Sequence, residues 1–179
     1  VLADLMTVRE HFAQLEGLKM GFVGDGFNMC NSLIVGCLKV GMKVSVATPE
    51  GYEPDAKVLA FAEEMKKQGA SFELSHDIHQ AADNADVLFT DAWIGMGQEA
   101  EAEKRRKAFA GFTVDHDLLS CCKEGVMVQH CLPAHRGEEI TDEVLEEHAD
   151  EIFEESENRL HAQKAVMVML MSEKSDFHI

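Results

Sequence analysis

The chain has 179 residues, enough for one domain with a real core, and a formal net charge of −17. That surplus of carboxylates argues against a nucleic-acid partner, whose phosphate backbone requires clustered Lys and Arg. No apolar run approaches the ~20 residues of a membrane-spanning helix. Strand and helix signals then alternate. Residues 19–23 (KMGFV) read as strand and 28–40 as helix, 43–47 (KVSVA) as strand and 55–68 as a helix closed by Gly69. Residues 71–74 give the next strand, 78–84 a short helix and 86–90 a strand. A charged helix over 98–110, a short one near Asp117 and a strand at 126–128 complete the series. This βαβ alternation predicts an α/β domain built on a parallel, doubly wound sheet, a Rossmann-like three-layer sandwich. Ligands bind beyond the carboxyl ends of such strands, so the loops at 24–28, 91–97 and 130–133 are expected to converge.

The last of these loops is the richest in chemistry. His130-Cys131-Leu132-Pro133-Ala134-His135-Arg136-Gly137-Glu138-Glu139 follows directly on an apolar strand. It places a thiol, two imidazoles and a guanidinium within seven positions. The plainer reading makes Cys131 a small buried hydrophobe. The other cysteines (Cys30, Cys37, Cys121 and Cys122) form no CxxC pair, so neither a metal centre nor any other cofactor is expected. With Cys131 the count is five, and an odd number without a signal peptide points to reduced thiols in a cytoplasmic setting. A thiol beside His130 and Arg159 would carry an enlarged thiolate fraction.

The first loop begins like a dinucleotide fingerprint, with Gly24 and Gly26, but Met29 stands at the third glycine position and the second strand ends without an acid. NAD is therefore not expected. Asn28 opens a helix, where its amide and the free N–H groups suit a ligand carboxylate, or where it simply caps. Asp91 is either a solvated loop acid or the partner of a ligand ammonium. Gly95 and Gly97 around Met96 give that segment backbone freedom, and Trp93 reads as a packing residue. Lys104-Arg105-Arg106-Lys107, preceded by Glu99, Glu101 and Glu103, reads as a solvated helix with local ion pairs. For Arg159 the plain alternative is a salt bridge to Glu155 at i−4.

Both termini look unfinished. Leu2, Leu5, Met6 and Val8 begin an apolar helical pattern with no capping residue before it, and residues 165–171 are apolar on every helical face. A partner domain is the expected cover.

Several motifs together resemble the ornithine carbamoyltransferases, within the aspartate/ornithine carbamoyltransferase family. They are Leu2-Ala3-Asp4-Leu5-Met6-Thr7, Gly24-Asp25-Gly26, Gly51-Tyr52-Glu53-Pro54, Thr90-Asp91, Met96-Gly97-Gln98-Glu99, the run from His130 to Glu139, and Glu157-Asn158-Arg159-Leu160-His161-Ala162-Gln163-Lys164. The similarity covers nearly all of residues 1–179. It implies the carboxyl-terminal, amino-acid-binding half of a two-domain enzyme that joins carbamoyl phosphate to ornithine, giving citrulline and phosphate. The Ser-Thr-Arg-Thr motif of the carbamoyl-phosphate domain does not occur here, and the family implies trimers or larger assemblies. By the same resemblance, Asn28 and the Met96 backbone would hold the ornithine α-carboxylate and Asp91 its α-ammonium. Cys131 and the Leu132 carbonyl would lie beside the side-chain amine, with His130 adjoining. Arg159 would meet the carbamoyl oxygen and phosphate. Two positions depart from the family pattern: Gly95 replaces a serine that contacts the amino acid, and Phe27 replaces an asparagine. They leave putrescine or another amine as a rival substrate. A silent amino-acid-binding relative is a second rival, against which Cys131 and Arg159 speak, since binding alone needs neither.

Overall fold

The computed structural model describes residues 1–95 and 97–172. Its helices and strands are α1 (Leu2–Phe12), β1 (Lys19–Val23), α2 (Asn28–Lys39), β2 (Lys43–Ala47), α3 (Ala56–Lys67), β3 (Phe72–Ser75), α4 (Ile78–Ala82) and β4 (Val87–Thr90). A short 3-10 turn (Glu99–Glu101) leads into α5 (Ala102–Ala108), followed by α6 (His116–Leu119), β5 (Met127–His130), α7 (Asp142–Glu147) and α8 (Ala149–Met171). The expected helix over 98–110 is thus a 3-10 turn joined to a shorter α-helix. The final strand runs on to His130, because Gln129 and His130, polar in sequence, are fully buried in place.

The five strands are all parallel, in the order β3-β2-β1-β4-β5. Alternation along each strand divides the core in two. Met20, Phe22, Val44, Val46, Val87, Phe89 and Met127 pack with α1, α2 and α3. Val23, Ala47, Leu88 and Val128 pack with α4, α6, α7 and the start of α8. Gly21 admits α4 closely: a Cβ there would lie 2.6 Å from the Ala81 carbonyl oxygen. The chain winds outward from β1 through β2 to β3, then returns to lay β4 and β5 on the other side. The crevice between β1 and β4 is therefore the switch point where such sheets accept ligands.

β5 is an edge strand, and α8 covers its open side. The Val128 N–H donates to Glu151 Oε2 at 2.9 Å, and buried Glu155, one turn further along α8, lies by the His130 backbone. Two strand residues span about 6.6 Å and four helical residues about 6.0 Å, so carboxylates four apart on α8 meet N–H groups two apart on β5. α8 also packs on α1, where Asn158 Nδ2 donates to Thr7 Oγ1 at 3.0 Å and to Glu10 Oε2 at 2.8 Å. The far end of α8 has no cover within the described residues: Met167 is 53% and Met171 84% exposed. Among the described residues no helix is long and apolar enough to cross a membrane.

Candidate active site at the carboxyl edge of the sheet

The three loops do converge. The first leaves β1 and turns at Gly26, whose N–H donates to the Tyr52 carbonyl at 2.9 Å. A Cβ at Gly26 would lie 2.4 Å from backbone atoms of Tyr52, Glu53 and Pro54. Gly26 is thus needed for contact with the chain's own next loop. The turn hands the N-cap of α2 to Phe27, and no side chain caps it. Asn28 is therefore the first helical residue rather than the cap. Its amide is exposed and carries no hydrogen bond among the described residues. With no acid in the first turn of α2, its free N–H groups leave a positive end facing the crevice.

The loop after β4 starts with half-buried Asp91, whose Oδ1 accepts from the Ala92 N–H at 2.8 Å and from Cys131 Sγ at 3.1 Å. Trp93 is buried and stacks near Phe109 with ring centroids 5.9 Å apart, the packing role expected of it. The Gly95 N–H donates to Gln98 Oε1 at 2.9 Å. The Met96 backbone contact lies outside the described residues.

At the end of β5 the geometry corrects two expectations. The His130 imidazole is fully buried; its Nε2 meets Glu139 Oε1 at 3.1 Å and its Nδ1 accepts the Leu132 N–H at 2.9 Å. That pairing places the ring proton on Nε2 and leaves no imidazole nitrogen for a ligand. Burial pushes the Glu139 carboxyl up, but the bonds from His130, the His135 N–H and its own backbone amide bring it below the ordinary value. His130 holds the loop and presents only backbone to the site. Arg136, paired with Asp142 at 2.8 Å and Glu146 at 2.6 Å, fastens the same loop to α7.

The second correction concerns Cys131. Burial pushes its thiol far above the ordinary value, and the charge and hydrogen bond of Asp91 push it further, with smaller contributions from Glu155 and Asp4. Neither His130 nor Arg159 supplies the expected opposing pull. Cys131 is therefore a protonated donor at neutral pH, not a thiolate. Atoms of Asp91, His130 and Cys131 lie within 4.8 Å of one another. The thiol is bonded to Asp91, and the two imidazole nitrogens are engaged by Glu139 and the Leu132 N–H.

Leu132 follows in the left-handed region, φ 51°, and Leu132–Pro133 is a cis peptide. Cys131, Leu132 and Arg159 line one cavity of about 690 Å³ with Asp4, Met29 and the apolar face of α8. Arg159 is exposed and has no ion pair among the described residues. The salt bridge to Glu155 does not form, because Glu155 is turned inward against Asp4 and the His130 N–H. Burial, with the adjacent Asp4 carboxyl, pushes Glu155 up to about 9.

Sequence reasoning missed Arg105. It is 4% exposed; its Nε donates to the Trp93 carbonyl, and its Nη2 pairs with Asp25 Oδ2. Lys104, Arg106 and Lys107 are solvated as expected, although Arg106 pairs distantly, with Glu138 at 2.9 Å. The available signal was helical spacing: Arg105 lies three residues after Ala102 and four before Phe109, on the inward face.

Residues 16–170 match the family model of the aspartate/ornithine carbamoyltransferase Asp/Orn-binding domain. The Pyrococcus horikoshii ornithine carbamoyltransferase is 53% identical over 171 residues, 95% of this chain and 54% of that protein. The Gloeobacter violaceus ornithine carbamoyltransferase is 52% identical over 172 residues, 96% of this chain and 55% of that protein. Among solved structures, the Pyrococcus furiosus ornithine carbamoyltransferase aligns with a TM-score of 0.84 at 50% identity, over 93% of this chain and 53% of its own. The chain thus spans about half the length of the relatives it matches. It belongs to the aspartate/ornithine carbamoyltransferase family, as the Asp/Orn-binding domain.

Proposed function

We propose that this domain binds ornithine in an ornithine carbamoyltransferase, which transfers the carbamoyl group of carbamoyl phosphate to the side-chain amine and releases citrulline and phosphate. The observation that carries this reading is the guanidinium of Arg159, which has no ion pair among the described residues and lines one cavity with Cys131 and Leu132. A transferred carbamoyl group develops negative charge on its oxygen and then on the departing phosphate. A cation with a forked donor set stabilises both.

The other end of the substrate suits the crevice between β1 and β4. The exposed Asn28 amide and free N–H groups of α2, with the Met96 backbone, take the α-carboxylate, and the Asp91 carboxylate takes the α-ammonium. Gly95 contributes backbone only. The side-chain amine then lies by the Leu132 carbonyl, which accepts one of its hydrogens and points its lone pair at the carbamoyl carbon. The protonated Cys131 cannot remove the amine's proton, so the leaving phosphate takes it. His130 acts by holding Leu132.

The carbamoyl-phosphate half is an amino-terminal domain covering the apolar end of α8. The working form is a homotrimer or larger assembly in the cytoplasm. The test is turnover by the two-domain enzyme with carbamoyl phosphate and either ornithine or putrescine. Ornithine should exceed putrescine by about a hundredfold or more, because a site built for two charged α-groups gains little from an amine lacking one of them. The reverse order would overturn the choice of substrate. This chain alone should form no citrulline, and citrulline formation by it would refute the split of the site between two domains.

A further inference from the structure

Arg105 joins three loops of the carboxyl edge. It reaches the β1–α2 loop through Asp25 and the loop after β4 through the Trp93 carbonyl. Its guanidinium carbon lies 5.0 Å from the ring centroid of Tyr52, in the loop after β2, and 5.1 Å from that of Phe109. The two rings confine the plane of the fork. A buried pair of this kind adds little net stability, because desolvation offsets attraction. Asp25 shows that balance: burial is the largest influence and, with the charge of Asp91, leaves its carboxyl raised although Arg105 pulls it down. What the pair supplies is geometry, since a planar fork fixes both the distance and the angle between its acceptors.

Those acceptors sit on the two loops given above to the amino-acid end of the substrate. Asp25 precedes Asn28 by three residues, and Trp93 follows Asp91 by two. We propose that Arg105 is a positioning residue that sets the separation of these loops, and through it the recognition of the α-carboxylate and α-ammonium. This rests on the ornithine reading. Putrescine keeps an ammonium where ornithine has its α-ammonium and lacks only the carboxylate, so the loss of Arg105 weakens the hold on ornithine more than the hold on putrescine.

The test uses the two-domain enzyme with Arg105→Lys, Arg105→Met and Asp25→Asn. Ornithine is the substrate; putrescine, which lacks the α-carboxylate, serves as alternative substrate or competitive inhibitor. The KM for ornithine should rise about tenfold or more with kcat within roughly threefold, the pattern of lost binding rather than lost transition-state contact. The constant for putrescine should rise less than that for ornithine, and the constant for carbamoyl phosphate should not move. Arg105→Lys should fail in the same direction, because an ammonium keeps the charge and loses the fork. If the Arg105 variants do not fold, Asp25→Asn, which preserves shape, decides. An unchanged ornithine KM overturns the inference, as does an equal loss with both amines alongside a lowered unfolding midpoint. Wild-type enzyme that turns over putrescine but not ornithine overturns the ornithine reading and this inference with it.

Discussion

Glu155→Gln should change how the stability of this chain depends on pH. Glu155 is 1% exposed, and burial together with the facing Asp4 carboxyl pushes it from 4.5 to about 9. Its other charged neighbour is the Val1 ammonium, which pulls the opposite way, as does the His130 backbone N–H on β5. A carboxyl raised on folding keeps a proton that the unfolded chain releases. Its contribution is therefore complete below pH 4.5 and is lost as pH climbs to about 9. One retained proton limits the slope to about 1.4 kcal/mol per pH unit, so roughly 2–3 kcal/mol is at stake between pH 6 and 8. Glutamine keeps a donor for Asp4 and an acceptor for the His130 N–H but does not titrate. Urea unfolding of both proteins at pH 6, 7, 8 and 9 measures the difference. The variant should gain on the wild type steadily with pH. Parallel stability curves for the two would refute a protonated Glu155.

Cys131 should be alkylated more slowly than free cysteine at pH 8, since its thiol is held protonated by burial and Asp91. Asp91→Asn should speed the reaction, as followed by mass spectrometry of iodoacetamide adducts; an unchanged rate would remove Asp91 as a cause. Arg159→Ala should cost the two-domain enzyme about 10²–10³ in kcat/KM, the range for losing a donor to developing charge. The same change should leave the unfolding midpoint of this chain nearly fixed, because Arg159 makes no ion pair among the described residues; a large drop would make it a structural residue. Gly26→Ala would bring a methyl group 2.4 Å from three backbone atoms. It should destabilise the chain by about 1–3 kcal/mol or more in urea unfolding, and a neutral result would mean that the two loops are not locked together.

The alternation of strand and helix was legible because each strand is a short apolar run with its own turn residues, and the convergence of three loops follows from parallel strands. The order of the strands was not legible, since apolar runs buried on both faces look alike. Boundaries slipped where side chains disguised the backbone: Gln129 and His130 belong to β5, and Phe27 takes the cap that Asn28 seemed made for. The site residues were recognisable as types, but their partners were not. Cys131 looked toward His130 next to it, whereas its partner is Asp91, forty residues earlier in sequence. Arg105 was lost in a run of cations, where only the phase of the helix separates the buried one from the rest.

The capped edge of β5 has one more rung. Glu151 accepts from Val128 and Glu155 lies by the His130 backbone, a step of four along the helix for two along the strand. The next step pairs Arg159 with Leu132. There the strand has ended: Leu132 has turned left-handed and given its N–H to His130 instead. The third helical side chain therefore arrives with nothing to hold, and it is a cation where the first two were acids. A periodicity that closes a sheet edge thus runs one period past the end of the sheet, and the surplus position is the one that lines the cavity with Cys131 and Leu132. Sliding α8 along β5 by one residue would break both caps and move the guanidinium at the same time, so the edge that resists stray strands also indexes the site.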